Sequence, residues 1–199
     1  MDQLSRSNVK NLPANQIVTN KFPVMSYPSG NAPEINLQNW KLAAYGLVEK
    51  EVHWSMDELM KFPQISIESD FHCVTQWSRF DNQWKGIRFN SLISELKPLS
   101  NAKYVMIYSY GGYSTNLDLD ILLGDDVLFA HTHDGIPLSS DHGGPLRLVV
   151  PKRYAWKSAK WVKSFEFMAV DKPGFWESRG YHMRGDPWLE ERYWPELQR

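Results

Sequence analysis

The sequence predicts an α+β domain. Short stretches of alternating or continuous apolar residues recur along the chain. Turn residues separate them at uneven intervals, and the helical signals are brief. Regular βαβ alternation is absent, which points away from a doubly wound sheet. Residues 1–34 are polar and punctuated by Pro13, Pro23, Pro28, Gly30 and Pro33. This pattern predicts an extended arm packed on a domain at 35–199, with Phe22-Pro23-Val24-Met25 as its apolar anchor. Trp40, Leu42, Ala44 and Gly46 alternate with more polar positions and predict a strand. Ser55-Met56-Asp57-Glu58 has the form of a capping box and starts a short helix at Leu59 and Met60. Ile65–Glu68 predicts a strand running into Asp70-Phe71-His72-Cys73. Asn90 is the expected cap of a helix over Ser91–Leu96, closed by Pro98. Tyr104–Tyr110 predicts a buried strand ending at Gly111-Gly112, and Leu117–Leu123 one or two helical turns. Val127–His131 is a strand, Gly135-Ile136-Pro137 a turn, Leu146–Val150 a strand stopped by Pro151, and Phe165–Val170 another. From Lys172 the chain is rich in Gly, Pro and Trp and reads as irregular.

The 199 residues carry 22 Lys plus Arg against 23 Asp plus Glu, a formal charge of −1. That balance argues against a nucleic-acid binder as the default. Nine Trp, nine Tyr and nine Phe are too many for a disordered chain. A single Cys excludes an internal disulfide and a zinc ribbon alike. No apolar run approaches the roughly 18 residues of a membrane span, and Met1–Gln16 lacks the apolar core of a secretory signal. The expected location is therefore cytoplasmic.

Three clusters carry chemical potential. Cys73 follows a His at an expected strand end, with Trp77 and Trp84 beyond it. A thiolate is a soft ligand suited to a transition metal, and it is equally a nucleophile where a base is positioned beside it. His142-Gly143-Gly144-Pro145-Leu146-Arg147 has paired glycines that allow a close backbone approach or an unusual turn. Lys152-Arg153-Tyr154-Ala155-Trp156-Lys157-Ser158-Ala159-Lys160-Trp161 sets four cations among aromatics. It reads as a solvated basic loop, or as a phosphate site if Arg147 and Lys160 converge. The usual nucleotide cradles are absent. His131, His133, His142 and His182 have no zincin spacing.

Together these clusters resemble the catalytic domain of the sulfite oxidase family of molybdenum enzymes. The residues that carry the likeness are Phe71–Ser78, His142–Pro151, Lys157–Trp161 and Trp176–Tyr181, within a stretch from about residue 17 to 181. The chain looks most like the small single-domain members, and it is also similar to the catalytic subunit of protein-methionine-sulfoxide reductase. The resemblance implies a sulfite oxidase-type domain that binds molybdenum through one pyranopterin dithiolene (molybdopterin) and one cysteine, here Cys73. It implies cofactor contacts at Asn20, Lys21 and Phe22 in the arm, at Ser109, at His142 and Arg147, and at Ser158, Ala159 and Lys160. Tyr181 falls at the family's active-site tyrosine, and His182 is a lesser pocket candidate. Arg147 and Lys160 are expected to hold the phosphate end of the pterin.

The implied activity is oxidoreduction with oxygen-atom transfer to or from a small-molecule substrate, the metal cycling between Mo(VI) and Mo(IV). The rival readings are sulfite oxidation with a rearranged anion pocket and a non-catalytic binding domain. Sulfite oxidases carry an arginine in the arm and arginines just after the ligand cysteine. Thr19 and Trp77-Ser78 stand at those places here, so poor sulfite oxidation is expected, with Arg79 and Arg88 as the only suspected replacements. A chain of this length leaves no room for a haem domain, so a separate electron-transfer partner is expected. No nucleic acid and no membrane span are expected.

Overall fold

The computed structural model describes residues 11–25 and 30–195. Met1–Lys10, Ser26–Ser29 (Pro28 of the expected arm among them) and Glu196–Arg199 lie outside the described residues. In chain order the strands are β1 (Ile17–Val18), β2 (Lys41–Gly46), β3 (Val52–Ser55), β4 (Gln64–His72), β5 (Trp77–Arg88), β6 (Tyr104–Ser109), β7 (Ser114–Asp118), β8 (Leu128–His133), β9 (Ile136–Pro137), β10 (Arg147–Val149) and β11 (Val162–Met168). The helices are α1 (Met56–Leu59), α2 (Phe89–Leu96) and α3 (Leu119–Leu122). Two mixed sheets with few short helices make the fold α+β, as the sequence predicts. No helix among the described residues is long and apolar enough to cross a membrane.

One sheet runs β3-β2-β11-β6-β7, with β2 and β11 parallel and the other pairs antiparallel. The other is built on β5. β4 lies antiparallel along one edge of β5. The opposite edge is shared by β1, parallel at Trp77-Ser78, and β8, antiparallel from Trp84 onward. β8 in turn pairs with β9 and β10.

The period-two geometry of a strand sorts the apolar residues of this second sheet onto two faces. Ile87, Phe129, Leu148 and Val150 face the main core, where they meet Leu42, Val105, Ile107, Phe165 and Phe167 of the first sheet and Phe89, Leu92 and Leu96 of α2. Their neighbours Leu128, Ala130 and Val149 face the other way and join Phe71 and Trp84 in a smaller cluster. Burial on both faces is why β8 and β10 read as continuous apolar runs. Phe165 sits at the main core's centre, with Phe89 at 5.3 Å, Phe129 at 5.5 Å and Trp54 stacked at 6.3 Å between ring centres. Burying each such ring contributes about 1.5–3 kcal/mol. Phe71 of the small cluster, with Phe22, Trp77 and Ala155 packed against it, lines the cavity described below.

The capping box of α1 is present in both directions. Ser55 Oγ accepts from the Glu58 N–H, and Glu58 Oε2 accepts from the Ser55 N–H. Several elements differ from expectation. Asn90 does not cap α2; it lies inside the helix, which begins at Phe89. Phe89 is fully buried, its N–H donates to the Val127 carbonyl at 3.1 Å, and no side chain caps the helix. Leu117 belongs to β7, paired with Val105, and only Leu119–Leu122 is helical. Ile136 and Pro137 form β9 rather than a turn. The turn is Asp134-Gly135, both at positive φ, a conformation that favours this Asp-Gly pair. The longest strand, β5, is not evident in the sequence. Its polar Ser78, Asp81, Asn82 and Gln83 hide the alternation, and partners on both edges create it.

Candidate active site

The hairpin of β4 and β5 turns over at residues 73–76. Its closure needs Gln76 at a φ of 70°. The Cys73 N–H donates to the Trp77 carbonyl at 2.8 Å, and the Cys73 carbonyl accepts from the Gln76 N–H at 3.1 Å. From the arm, Gln16 Nε2 donates to the same carbonyl at 3.1 Å, and Gln16 Oε1 accepts from Ser78 Oγ at 3.0 Å. Cys73 is 6% exposed. Burial pushes its thiol pKa up, while hydrogen bonds from Thr75 and the charge of Arg192 oppose the shift. His72 turns its Nδ1 to Ser78 Oγ at 2.7 Å.

Two residues past the cysteine turn, β1 fixes the arm so that Phe22 enters the smaller apolar cluster. Its ring lies 5.6 Å from Phe71, 5.8 Å from Trp84 and 4.7 Å from His142, on which it stacks. His142 ends a 3-10 turn, and Gly143 follows at a φ of 103°. A Cβ there would come within 2.9 Å of the Lys160 side chain and 3.1 Å of Arg147, so glycine lets both cations lie against the backbone.

Alternation along β10 points Arg147 and Val149 to the same face, toward Phe71 and Trp84. The guanidinium donates from Nη1 to the His142 carbonyl at 3.0 Å and from Nη2 to the Ser158 carbonyl at 3.1 Å. Its Nε has no partner among the described residues, and no carboxylate of theirs forms an ion pair with it. Burial lowers its pKa to about 9. Aromatic faces of Trp84 and Phe71 lie 5.3 and 5.4 Å from its central carbon.

Ser158 spends its hydroxyl on the Val150 N–H at 2.9 Å, and the Ala159 carbonyl accepts from the Leu148 N–H at 2.8 Å. Lys160 Nζ donates to the Asp141 carbonyl at 2.7 Å and lies 4.3 Å from the centre of the Trp161 ring. Burial, then the charge of Arg147, lowers its pKa to about 7. Tyr181 stacks on Trp176 at 4.8 Å and meets Trp156 edge-on at 5.1 Å. Burial, with smaller contributions from Tyr193 and Cys73, raises its pKa and keeps the phenol protonated.

These side chains line a single cavity of about 410 Å³. Of the residues singled out in the sequence, it brings together Phe22, Cys73, His142, Arg147, Ser158, Ala159, Lys160 and Tyr181. Asn20 and Lys21 are exposed outside its lining. Ser109 is buried behind it, beside Trp161, with its Oγ unpartnered among the described residues. His182 is also outside, its Nδ1 accepting from the N–H groups of Arg184 and Gly185 at 3.2 Å each. Arg79 is held by Asn82, His133 and Asp134, and Arg88 lies at the surface beside Asp125. Thr75, Trp156, Trp161 and Trp176 also line the cavity, although the sequence motifs that contain them give them no site role. The density of aromatics after Lys152 is the available signal for the three tryptophans. Among the described residues no three His, Cys, Asp or Glu side chains are grouped as a metal site.

A family model described as the oxidoreductase molybdopterin binding domain matches residues 29–176. The chain belongs to this family. It is 43% identical over 183 residues to the uncharacterized oxidoreductase YuiH of Bacillus subtilis, covering 92% of this chain and 91% of that protein. It is 29% identical over 187 residues to the protein-methionine-sulfoxide reductase catalytic subunit MsrP of Campylobacter jejuni, covering 83% of this chain but 63% of that one. The sulfane dehydrogenase SoxCD of Paracoccus pantotrophus shares the fold, with a TM-score of 0.65 at 22% identity, over 71% of this chain and 41% of that chain. The chain is thus a molybdopterin-binding oxidoreductase domain. Its residues fit the cofactor. The pterin's anionic end suits Arg147, whose charge is buried without a carboxylate, and a molybdenum ion suits the soft sulfur of Cys73 on the same cavity wall.

Proposed function

We propose that this oxidoreductase transfers an oxygen atom to or from a small uncharged substrate and exchanges electrons with a separate protein partner. The observation that carries the reading is the composition of the cavity wall. Among the described lining residues the cations are Arg147 and Lys160, and Cys73, Trp156, Trp176 and Tyr181 supply a soft sulfur and an aromatic surface.

In this reading Arg147 and Lys160 hold the anionic end of the molybdopterin, with Phe22 and His142 packed along it, and Cys73 is the protein's ligand to the metal. When bound, the cofactor supplies two-electron redox chemistry and the oxygen-atom exchange. The chain's own residues do the rest. Trp156 and Trp176 exclude water and orient the substrate. Tyr181, with its phenol kept protonated, donates a hydrogen bond from Oη to the substrate oxygen. Both lining cations are then committed to the pterin, Arg79 to Asp134 and Arg192 to the Val74 carbonyl, so among the described lining residues no cation is left for an oxyanion such as sulfite. The name of the Campylobacter relative, a sulfoxide reductase, supports a neutral sulfur–oxygen bond as the substrate class.

The test is metal and pterin analysis of protein made in a host that synthesises the cofactor, followed by a substrate screen. About one molybdenum per chain is expected, with Cys73→Ser altering the sulfur shell seen by X-ray absorption. A kcat/KM for sulfite near about 10⁶ M⁻¹s⁻¹, a value of efficient enzymes, would overturn the neutral-substrate reading.

A further inference from the structure

The sulfur of Cys73 is placed by one rotatable bond on a backbone that is already fixed by Trp77, Gln76 and Gln16. What remains to be set is that side-chain torsion, and among the described residues the side chain that hydrogen-bonds the sulfur is Thr75, with Oγ1 at 3.1 Å from Sγ. The backbone N–H groups of Thr75 and Val74 also favour the charged sulfur. Among the described residues Sγ is the only hydrogen-bond partner of the Thr75 hydroxyl, which itself lines the cavity. In the thiol form either atom can donate. A ligating thiolate has no proton to give, so the hydroxyl must then be the donor. A hydrogen bond to a metal-bound sulfur draws electron density from it and weakens its donation to the metal. That favours the reduced metal.

Resting on the reading of Cys73 as the metal's protein ligand, we propose that Thr75 is its positioning residue. The Thr75 hydroxyl holds the sulfur in one rotamer and raises the reduction potential of the bound metal. β-Branching keeps Thr75 itself in few rotamers, so the donor is presented at a fixed place. Valine has the same shape without the hydroxyl, and serine has the hydroxyl without the branch, so the two variants separate packing from hydrogen bonding.

The experiment uses holoprotein from a cofactor-producing host, as wild type, Thr75→Val and Thr75→Ser. It reads molybdenum content, the metal's sulfur shell by X-ray absorption, and the midpoint potential by a titration followed through the Mo(V) electron-spin signal. The expected result is a shift to lower potential in Thr75→Val with the protein sulfur still bound, and recovery in Thr75→Ser. Loss of metal in the valine variant alone also supports the hydroxyl's role. An unchanged potential in Thr75→Val at full metal content overturns the proposal, as do equal shifts or equal metal loss in both variants. If the wild type shows no protein sulfur on the metal, the reading of Cys73 fails and this inference falls with it.

Discussion

Lys157 Nζ lies 2.6 Å from Glu177 Oε1, and neither side chain is exposed to solvent. Oε1 and the ammonium are closed in by further partners, while Glu177 Oε2 is buried without one among the described residues. Glu177 Oε1 accepts from Thr115 Oγ1 and Trp156 Nε1 at 2.9 Å each, and Lys157 Nζ donates to the carbonyl and side-chain oxygens of Asn116 at 2.9 and 2.8 Å. It thereby holds the Trp156 ring in the cavity wall. The sequence places Lys157 among the cations of a solvated loop; burial makes it a structural ammonium instead. Glu177→Gln leaves that ammonium uncompensated and is expected to cost about 3–5 kcal/mol, read as a lower urea midpoint. Replacing both partners, as Lys157→Met with Glu177→Leu, removes the unpaired charge but is expected to restore only part of the loss, because Thr115, Trp156 and Asn116 then lose their buried partners. Equal stability of the single variant and the wild type would contradict the assignment.

Arg147 predicts a trade between stability and cofactor binding. Its charge is buried without a carboxylate, so the apo-protein bears a desolvation cost that the anionic cofactor offsets. Arg147→Met is expected to leave the thermal midpoint of the apo-protein unchanged or higher. It should also weaken cofactor retention by about tenfold or more, the worth of a charge-assisted contact of about 1.5–3 kcal/mol. Thermal unfolding of apo-protein and pterin analysis of holoprotein read the two effects separately. A variant that unfolds readily and keeps its pterin reverses both expectations.

Lys160 gives the cofactor site a pH dependence. Its pKa in the fold is lowered to about 7 by burial first and the charge of Arg147 second. Below that value the ammonium is already present. Above it, binding an anion must also take up a proton, so affinity falls as pH rises, by up to about tenfold per unit. Pyrophosphate titration of the apo-protein at about pH 6 and about pH 9 measures this, with Lys160→Arg as the control, because arginine stays charged across the range. Identical slopes in the two proteins would falsify the role of Lys160.

Tyr181→Phe removes only the hydroxyl. The ring keeps its stack on Trp176 and its edge contact with Trp156, so the fold and the cofactor content are expected to persist. Turnover is expected to fall by about 10- to 1000-fold, the worth of a hydrogen bond that strengthens in the transition state. Steady-state rates normalised to molybdenum content provide the measurement. Undiminished turnover would return Tyr181 to a packing role.

The legible part of the molecule is its local part. The capping box at Ser55 and Glu58 declares itself within four residues, and α1 starts there. Val105 to Ile107 and Leu146 to Val150 announce strands by apolar character alone. The order of the cysteine, glycine-pair and lysine motifs points to Cys73, His142, Arg147 and Lys160, and these four line one cavity. β5 is not legible, because Ser78 and Asn82 are polar in sequence and buried only once β4, β1 and β8 flank them. Thr75 is equally silent: a threonine two residues from a cysteine is unremarkable until a turn folds its hydroxyl onto the sulfur.

The sequence by itself determined the α+β class, the cysteine at position 73 and the cationic motifs that follow the paired glycines, because periodicity and residue chemistry are properties of short stretches. Only the tertiary structure decided which charges are buried and what they meet. It strips Arg147 of any described carboxylate, gives Lys157 one in Glu177, fixes Arg79 on Asp134 and leaves Lys160 close to neutral pH. The physical reason is that desolvation and pairing depend on every segment packed around a group. Those segments, from Phe22 to Tyr181, meet in one cavity only after the chain has folded.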